Sequence, residues 1–353
     1  MKGKEVFASL TLFLIVPGVL GVLLPTSGIK NKIHHHSLHQ NADMFSFLAL
    51  GDWGGLPIIP YHTAIESTVA NQMGSTSDAV RSRFTIGLGD NFYFDGVKDV
   101  NDKRFEETYE TVFQATSLDT PWYFIAGNHD HNGNVSAQIH YTDVKKRWNF
   151  PDYYYNLKFD AGEGASLEIV LIDTVLLCGN SDSDFLHKQP EMQMNPKARK
   201  IADDQWAWIE ETLAKSTANY LIVGGHFPVY SVAEHGSTKC LVDKLYPLLH
   251  KYRVQAYICG HDHNLQHIEV NAKNWTTEYF VIGAANFIED SHQHESTIPE
   301  GSLKYYWADL LKLGGFGVFQ LNSDAMTFRF IDAQNGQTLH GTTMYPVKNR
   351  GTL

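Results

Sequence analysis

Five short motifs place metal-binding side chains along this chain. Gly51-Asp52-Trp53 comes first, then Gly89-Asp90-Asn91-Phe92-Tyr93, then Gly127-Asn128-His129-Asp130. Val223-Gly224-Gly225-His226 and Gly260-His261-Asp262-His263 complete the set. The candidate ligands are the carboxylates of Asp52 and Asp90, the phenol of Tyr93, the carboxamide of Asn128 and the imidazoles of His226, His261 and His263. Such a mixture suits two small cations rather than one, and two adjacent cations point to hydrolysis. Asp52, Asp90, Tyr93 and His263 offer up to three anionic oxygens and one nitrogen, a hard set suited to Fe(III). Asn128, His226 and His261, with a shared oxygen from Asp90, offer a more neutral set for a divalent ion. Asp90 is the expected bridge, because it is the one carboxylate left to link the two ions. A tyrosinate on Fe(III) is coloured by charge transfer, so Tyr93 also predicts a visible band.

Each motif alone carries little weight, since an aspartate after glycine is ordinary turn chemistry. What counts is that they occupy the same station. Nearly every one follows an apolar run that reads as a strand: Phe45 to Leu50, Phe84 to Leu88, Trp122 to Ala126, Tyr220 to Val223 and Ala256 to Cys259. Side chains just past the ends of neighbouring parallel strands meet in one crevice. Between these runs lie amphipathic stretches, Pro57 to Met73, Lys103 to Phe113, Ile201 to Lys215 and Leu241 to Tyr252. The alternation predicts one α/β domain over 44–348, without internal repeats or a linker to divide it.

The first residues read as an export signal. Lys2 and Lys4 precede an apolar run from Val6 to Leu24, and Pro25-Thr26-Ser27-Gly28 supplies a small-residue exit. Residues 1–28 are therefore expected to be a signal peptide and 29–43, with their histidine tract, a disordered leader. No stable membrane insertion is expected after cleavage. The three cysteines agree with an oxidising compartment, since Cys259 lies in a strand-like run while Cys178 and Cys240 lie in loop-like contexts and form the natural pair. Two sequons, at Asn134 and Asn274, also fit the secretory pathway, with a secreted or lysosomal destination. The net charge of −11 excludes a nucleic-acid partner, which demands a basic surface. Eighteen histidines make that charge strongly pH-dependent.

The motifs resemble those of the purple acid phosphatases, within the calcineurin-like metallophosphoesterase superfamily, and especially the small tartrate-resistant acid phosphatases of mammalian type. The resemblance runs from about Phe45 to Tyr345. It is carried by Leu48-Ala49-Leu50-Gly51-Asp52-Trp53-Gly54-Gly55, Gly127-Asn128-His129-Asp130-His131, Leu171-Ile172-Asp173-Thr174-Val175, Ala233-Glu234-His235-Gly236 and Gly260-His261-Asp262-His263-Asn264. It implies a four-layer αββα sandwich with two mixed sheets, two metals per chain as Fe(III) with Fe(II), Zn or Mn, and hydrolysis of phosphate monoesters at acid pH by a metal-bound hydroxide. It gives His129 and His235 the catalytic role of binding phosphate and protonating the leaving group. Two departures stand out: Phe227 follows His226 where the resembling pattern has tyrosine, and Ile288-Glu289-Asp290 reads as shifted. An acid assisting the histidines is thus either Glu289 or Asp290.

The stretch 179–200 is polar and holds Pro190 and Pro196. By resemblance it covers the active site until an activating protease cuts it; an ordinary exposed loop is the competing expectation. The expected substrates are small phosphate monoesters or phosphoproteins, and the expected state is a monomer. Two other functions share these residues: a phosphodiesterase on the same scaffold, or a secreted iron-binding protein with incidental phosphatase activity. Tyr93 argues against the first, and proton-donating histidines against the second.

Overall fold

A computed structural model describes residues 44–179, 196–272, 275–348 and 350. The expected signal peptide and leader, most of the 179–200 stretch and Asn274 lie outside the described residues. Fourteen strands are found among those described. The first four are β1 (Phe45–Leu50), β2 (Thr85–Gly87), β3 (Trp122–Phe124) and β4 (Trp148–Asn149). Next come β5 (Tyr155–Gly162), β6 (Ala165–Leu171), β7 (Tyr220–Gly224), β8 (Ala256–Cys259) and β9 (Leu265–Ala272). β10 (Trp275–Ile282), β11 (Leu303–Trp307), β12 (Gly315–Leu321), β13 (Met326–Asp332) and β14 (Thr338–Met344) follow. The helices are α1 (Ala64–Val80), α2 (Asn128–Asn132), α3 (Val135–Tyr141), α4 (Thr174–Cys178), α5 (Pro196–Lys215) and α6 (Lys239–Lys251).

Two mixed seven-stranded sheets form, in the orders β14-β13-β12-β1-β2-β3-β4 and β11-β9-β10-β8-β7-β6-β5. β1, β2, β3 and β4 run parallel in the first, and β6, β7, β8 and β10 in the second. Alternation along each central strand explains the layering, because successive side chains point to opposite faces. In β1, Phe47 and Ala49 enter the core between the sheets, while Leu48 and Leu50 face outward onto Val69 and Met73 of α1. In β7, Ile222 faces inward, whereas Leu221 and Val223 pack with Ile209 and Leu213 of α5 and with Leu241 and Leu245 of α6. Both faces of these strands are covered, so they read as continuous apolar runs. The layers are helix, sheet, sheet, helix. At the centre, Phe47 stacks between Phe84 at 4.8 Å and Phe319 at 4.6 Å.

Two of the amphipathic stretches are only partly regular helix. The stretch from Pro57 does not start a helix; α1 begins only after Thr63 and continues to Val80. Thr63 and Glu66 form a reciprocal capping box that defines the start, and Pro60 just before it can donate no backbone hydrogen bond. The amphipathic stretch from Lys103 to Phe113 holds a π-helical turn over Phe105–Glu110. Its wider winding turns Phe105 and Tyr109 inward against Trp148.

Candidate metal centre

The seven expected ligands come from both sheets and meet where their parallel strands end. Asp52 follows β1, Asp90 and Tyr93 follow β2, and Asn128 opens α2 just beyond β3. His226 follows β7, while His261 and His263 follow β8. One donor atom each of Asp52, Asp90 and His226 lies within 4.8 Å of the others. The Tyr93 hydroxyl lies 3.1 Å from Asp52 Oδ1 and 3.0 Å from His263 Nε2. On the other side, His226 Nε2 lies 2.9 Å from Asn128 Oδ1 and 3.4 Å from Asp90 Oδ2. The His261 and His226 rings are 5.0 Å apart between centroids. Asp90 therefore stands beside the Asn128/His226 group, and Asp52 beside the Tyr93/His263 group.

Backbone conformation makes this convergence possible. Asp52, Asp90 and His261 all adopt left-handed φ values of 57°, 51° and 75°. Such conformations cost non-glycine residues about 1–3 kcal/mol each and gather at functional sites. The glycines preceding two ligands answer a different need. A Cβ on Gly127 would lie 2.1 Å from Asp90 Oδ1, and one on Gly260 would lie 2.2 Å from Asp52 Oδ2. Each of these glycines makes room for the carboxylate of a neighbouring motif.

The electrostatics fit a metal-binding cluster. Burial pushes Asp52 up to about 8, against the pull of His226. Burial also opposes ionisation of Asp90, but His226 and His129 hold it below the ordinary carboxylate range. Burial disfavours the His226 cation, yet Asp90 outweighs it and raises the group to about 10. Burial, reinforced by His235, lowers His263 to about 3 and His261 well below its ordinary value. Burial with Asp52 and Asp90 drives the Tyr93 phenol well above 10. Acids, phenol and imidazoles thus compete for a few protons in a dry pocket, and cations there would take over the protons' role. The tautomers fit as well. His226 Nδ1 donates to the Leu88 carbonyl at 2.9 Å, which leaves Nε2 as the lone-pair nitrogen facing the cluster in the neutral ring.

Both expected catalytic histidines border the cluster. His129 Nδ1 donates to the Phe94 carbonyl at 2.8 Å, and its Nε2 lies 3.9 Å from Asp90 Oδ2. His235 stacks on His261 with centroids 4.1 Å apart. Of the two acids left open, Glu289 comes within 3.9 Å of His263 Nδ1, whereas Asp290 accepts from the Tyr306 hydroxyl at 3.1 Å. Glu289 faces the cluster and is raised to about 7 by burial and by Glu234.

Motif reading missed the braces. Asp130 accepts from Gly127 N at 2.8 Å, from Asn91 N at 3.0 Å and from Gln138 Nε2 at 2.8 Å. Asp262 accepts from His235 N at 3.0 Å and from the Ser231 hydroxyl. Both acids lie inside quoted motifs, and their presence there was the available signal. Cys178 and Cys240 are joined as a disulfide with Cα atoms 5.7 Å apart, and Cys259 is a buried free thiol. Asn134 is exposed and caps α3 through Ala137 N at 3.1 Å. No helix among the described residues is long and apolar enough to cross a membrane.

Residues 45–265 match the calcineurin-like phosphoesterase family. The chain is 47% identical over 300 residues to tartrate-resistant acid phosphatase type 5 of Oryctolagus cuniculus, covering 84% of this chain and 90% of that one. It is 29% identical to purple acid phosphatase 7 of Arabidopsis thaliana, with 98% of each chain covered. The solved structure of GAP50, the anchor in the inner membrane complex of Plasmodium, superposes with a TM-score of 0.69 at 23% identity, covering 87% of this chain and 90% of that one. This last likeness concerns the fold alone.

Proposed function

Since the chain belongs to the calcineurin-like phosphoesterase family, among the purple acid phosphatases, and is an acid phosphatase, we propose that it hydrolyses phosphate monoesters at an Fe(III)–M(II) pair. Asp52, Asp90, Tyr93 and His263 would hold the trivalent ion. Asp90, Asn128, His226 and His261 would hold the divalent one, whether iron, zinc or manganese. The observation that carries this reading is the Tyr93 hydroxyl within hydrogen-bond reach of both Asp52 and His263. A phenol is an uncommon donor, and its position beside a carboxylate and an imidazole makes the hard set expected of Fe(III).

When bound, the cations supply Lewis acidity toward the phosphoryl oxygens and a nucleophile drawn from water. The protein's own groups do the rest. His129, oriented by the Phe94 carbonyl, directs Nε2 into the site, where a proton held on that nitrogen reaches a phosphate or leaving-group oxygen. His235, stacked on His261, serves beside it on a loop fastened by Asp262. Phe94 and Phe287 flank Tyr93 with centroids at 5.5 and 4.9 Å, and its ring is buried beneath them. An acidic optimum follows, because the donating imidazole must carry its proton. Together with the charged start and apolar run of residues 1–28, the disulfide and the Asn134 and Asn274 sequons support a secreted or lysosomal enzyme.

The test compares p-nitrophenyl phosphate with bis-p-nitrophenyl phosphate at pH 5 and 7.5, with a visible spectrum of the same protein. Expected are faster monoester turnover at pH 5 and a visible band that Tyr93→Phe bleaches without unfolding the chain. Preferred diester cleavage would return the molecule to the diesterase reading. An unchanged band in Tyr93→Phe would remove Tyr93 from the ligand set.

A further inference from the structure

Arg104 lies outside all five motifs, at the residue preceding the π-helical turn, and is only 5% exposed. Its Nη1 donates to the Tyr93 carbonyl at 2.7 Å, and its Nη2 donates to the Gly54 carbonyl. Its Nε donates to Thr108 Oγ1 at 2.8 Å, and that hydroxyl donates to the Tyr61 carbonyl at 2.8 Å. The Gly54 carbonyl also accepts from Tyr93 N–H at 3.1 Å. The main chain of Tyr93 is therefore tied at both polar groups, its N–H to Gly54 and its carbonyl to Arg104. Gly54 sits two residues beyond Asp52, so the same guanidinium holds the loop after β1 and the loop after β2. Neither loop has slack. A Cβ on Gly54 would lie 2.5 Å from Phe92 N. The planar fork of a guanidinium spans two carbonyls in one fixed geometry, which a lysine ammonium on its flexible stem does not reproduce.

We propose that Arg104 is a positioning residue for the trivalent-iron half of the centre, setting where the Tyr93 phenol stands relative to Asp52. The inference rests on the proposed ligand set. It predicts that Arg104 governs iron retention and the tyrosinate band without touching either metal or substrate.

The experiment uses iron-loaded wild type, Arg104→Lys and Arg147→Lys. Arg147 is the control, a largely buried guanidinium that bonds Glu110 at 2.8 Å and the Phe113 carbonyl, and no ligand. Visible spectra, iron release to a chelator at pH 5 and the unfolding midpoint of the metal-free proteins are measured. Arg104→Lys should displace the band and release iron about tenfold faster, the effect typical of losing a partner that orients a ligand. Arg147→Lys should keep the wild-type band at any loss of midpoint. A wild-type band and release rate in Arg104→Lys would overturn the assignment, as would equal changes in both variants. Should Arg104→Lys not fold, Thr108→Val frees one edge of the fork; a displaced band then supports the proposal and an unchanged one overturns it. Failure of the underlying ligand set is separately visible, as a wild-type band that Tyr93→Phe leaves intact.

Discussion

The contacts of this site fall into two groups, one around Tyr93 and His263 and one around Asn128 and His226, so substitutions should separate the two proposed metal positions. Asn128 and His226 meet at 2.9 Å on the side away from Tyr93, and His261 lies beside His226. Replacing Asn128 or His261 with alanine should deplete the divalent ion first, leaving most of the trivalent iron and its visible band. Metal analysis that found iron lost first would reverse the proposed division of ligands. The seven proposed donors could be picked out of the sequence because each belongs to a short motif that carries a glycine at the exit from an apolar run. Arg104 could not, since its effect depends on backbone carbonyls of loops remote in sequence and leaves no motif. Asp130 and Asp262 fall between, legible as motif members but not as braces.

Elements are joined around the site by bonds that cross between sheets. His131, at the end of the turn that carries Asn128 and His129, places Nε2 2.7 Å from Asp173 Oδ2. Asp173 caps α4 through Leu176 N at 2.9 Å and exchanges bonds with Gln205 of α5. Burial disfavours the His131 cation, but Asp173 outweighs it and raises the group above its ordinary value of 6.5. A raised folded value means that the contribution is fully present below the unfolded value and fades as pH climbs through the folded one. The stability gap between wild type and His131→Gln should thus be about 1.5–3 kcal/mol at pH 5, as for a hydrogen bond to a charged group, and smaller at pH 8. Denaturant unfolding at both pH values checks this, and a gap that widens with pH would refute the ion-pair account. The bond from Cys178 at the end of α4 to Cys240 in α6 leads to a second expectation. Protease cleavage inside 179–200 falls between the two cysteines, so the cut chain should run near full length on a nonreducing gel and split on reduction. If the stretch covers the site, cutting should raise turnover at unchanged metal content; equal turnover would leave it an ordinary loop. Strand positions were legible because burial on both faces writes continuous apolar runs. The amphipathic stretch from Pro57 does not mark the start of α1, because apolar residues continue through Pro57–His62 and only the Thr63–Glu66 box defines where the helix begins.

Taken whole, the molecule presents a repulsive field to its own substrates at neutral pH. Lysine and arginine number 28 against 39 aspartates and glutamates, which leaves −11 with histidine neutral. A phosphate monoester carries close to two negative charges there, so encounter is opposed over roughly a Debye length, about 8 Å at physiological salt. The 18 histidines change this balance on acidification. A free imidazole takes up its proton below about pH 6.5, whereas burial holds His261 and His263, of the proposed ligand set, neutral, so they do not contribute. On the proposed mechanism, falling pH should therefore do two things at once, favouring the protonated form that a donor imidazole requires and easing substrate approach. Ionic strength separates them, since salt screens the long-range field but not a proton already placed in the pocket. For p-nitrophenyl phosphate at pH 7.5, raising sodium chloride from 10 to 150 mM (roughly 30 to 8 Å of screening length) should increase kcat/KM, on the order of twofold for a small ligand. At pH 5 the same addition should leave it level or lower it, because the field has been neutralised or reversed. A salt response of the same sign and size at both pH values would show that the acidic optimum belongs to the pocket alone, with no share from the charge of the whole chain.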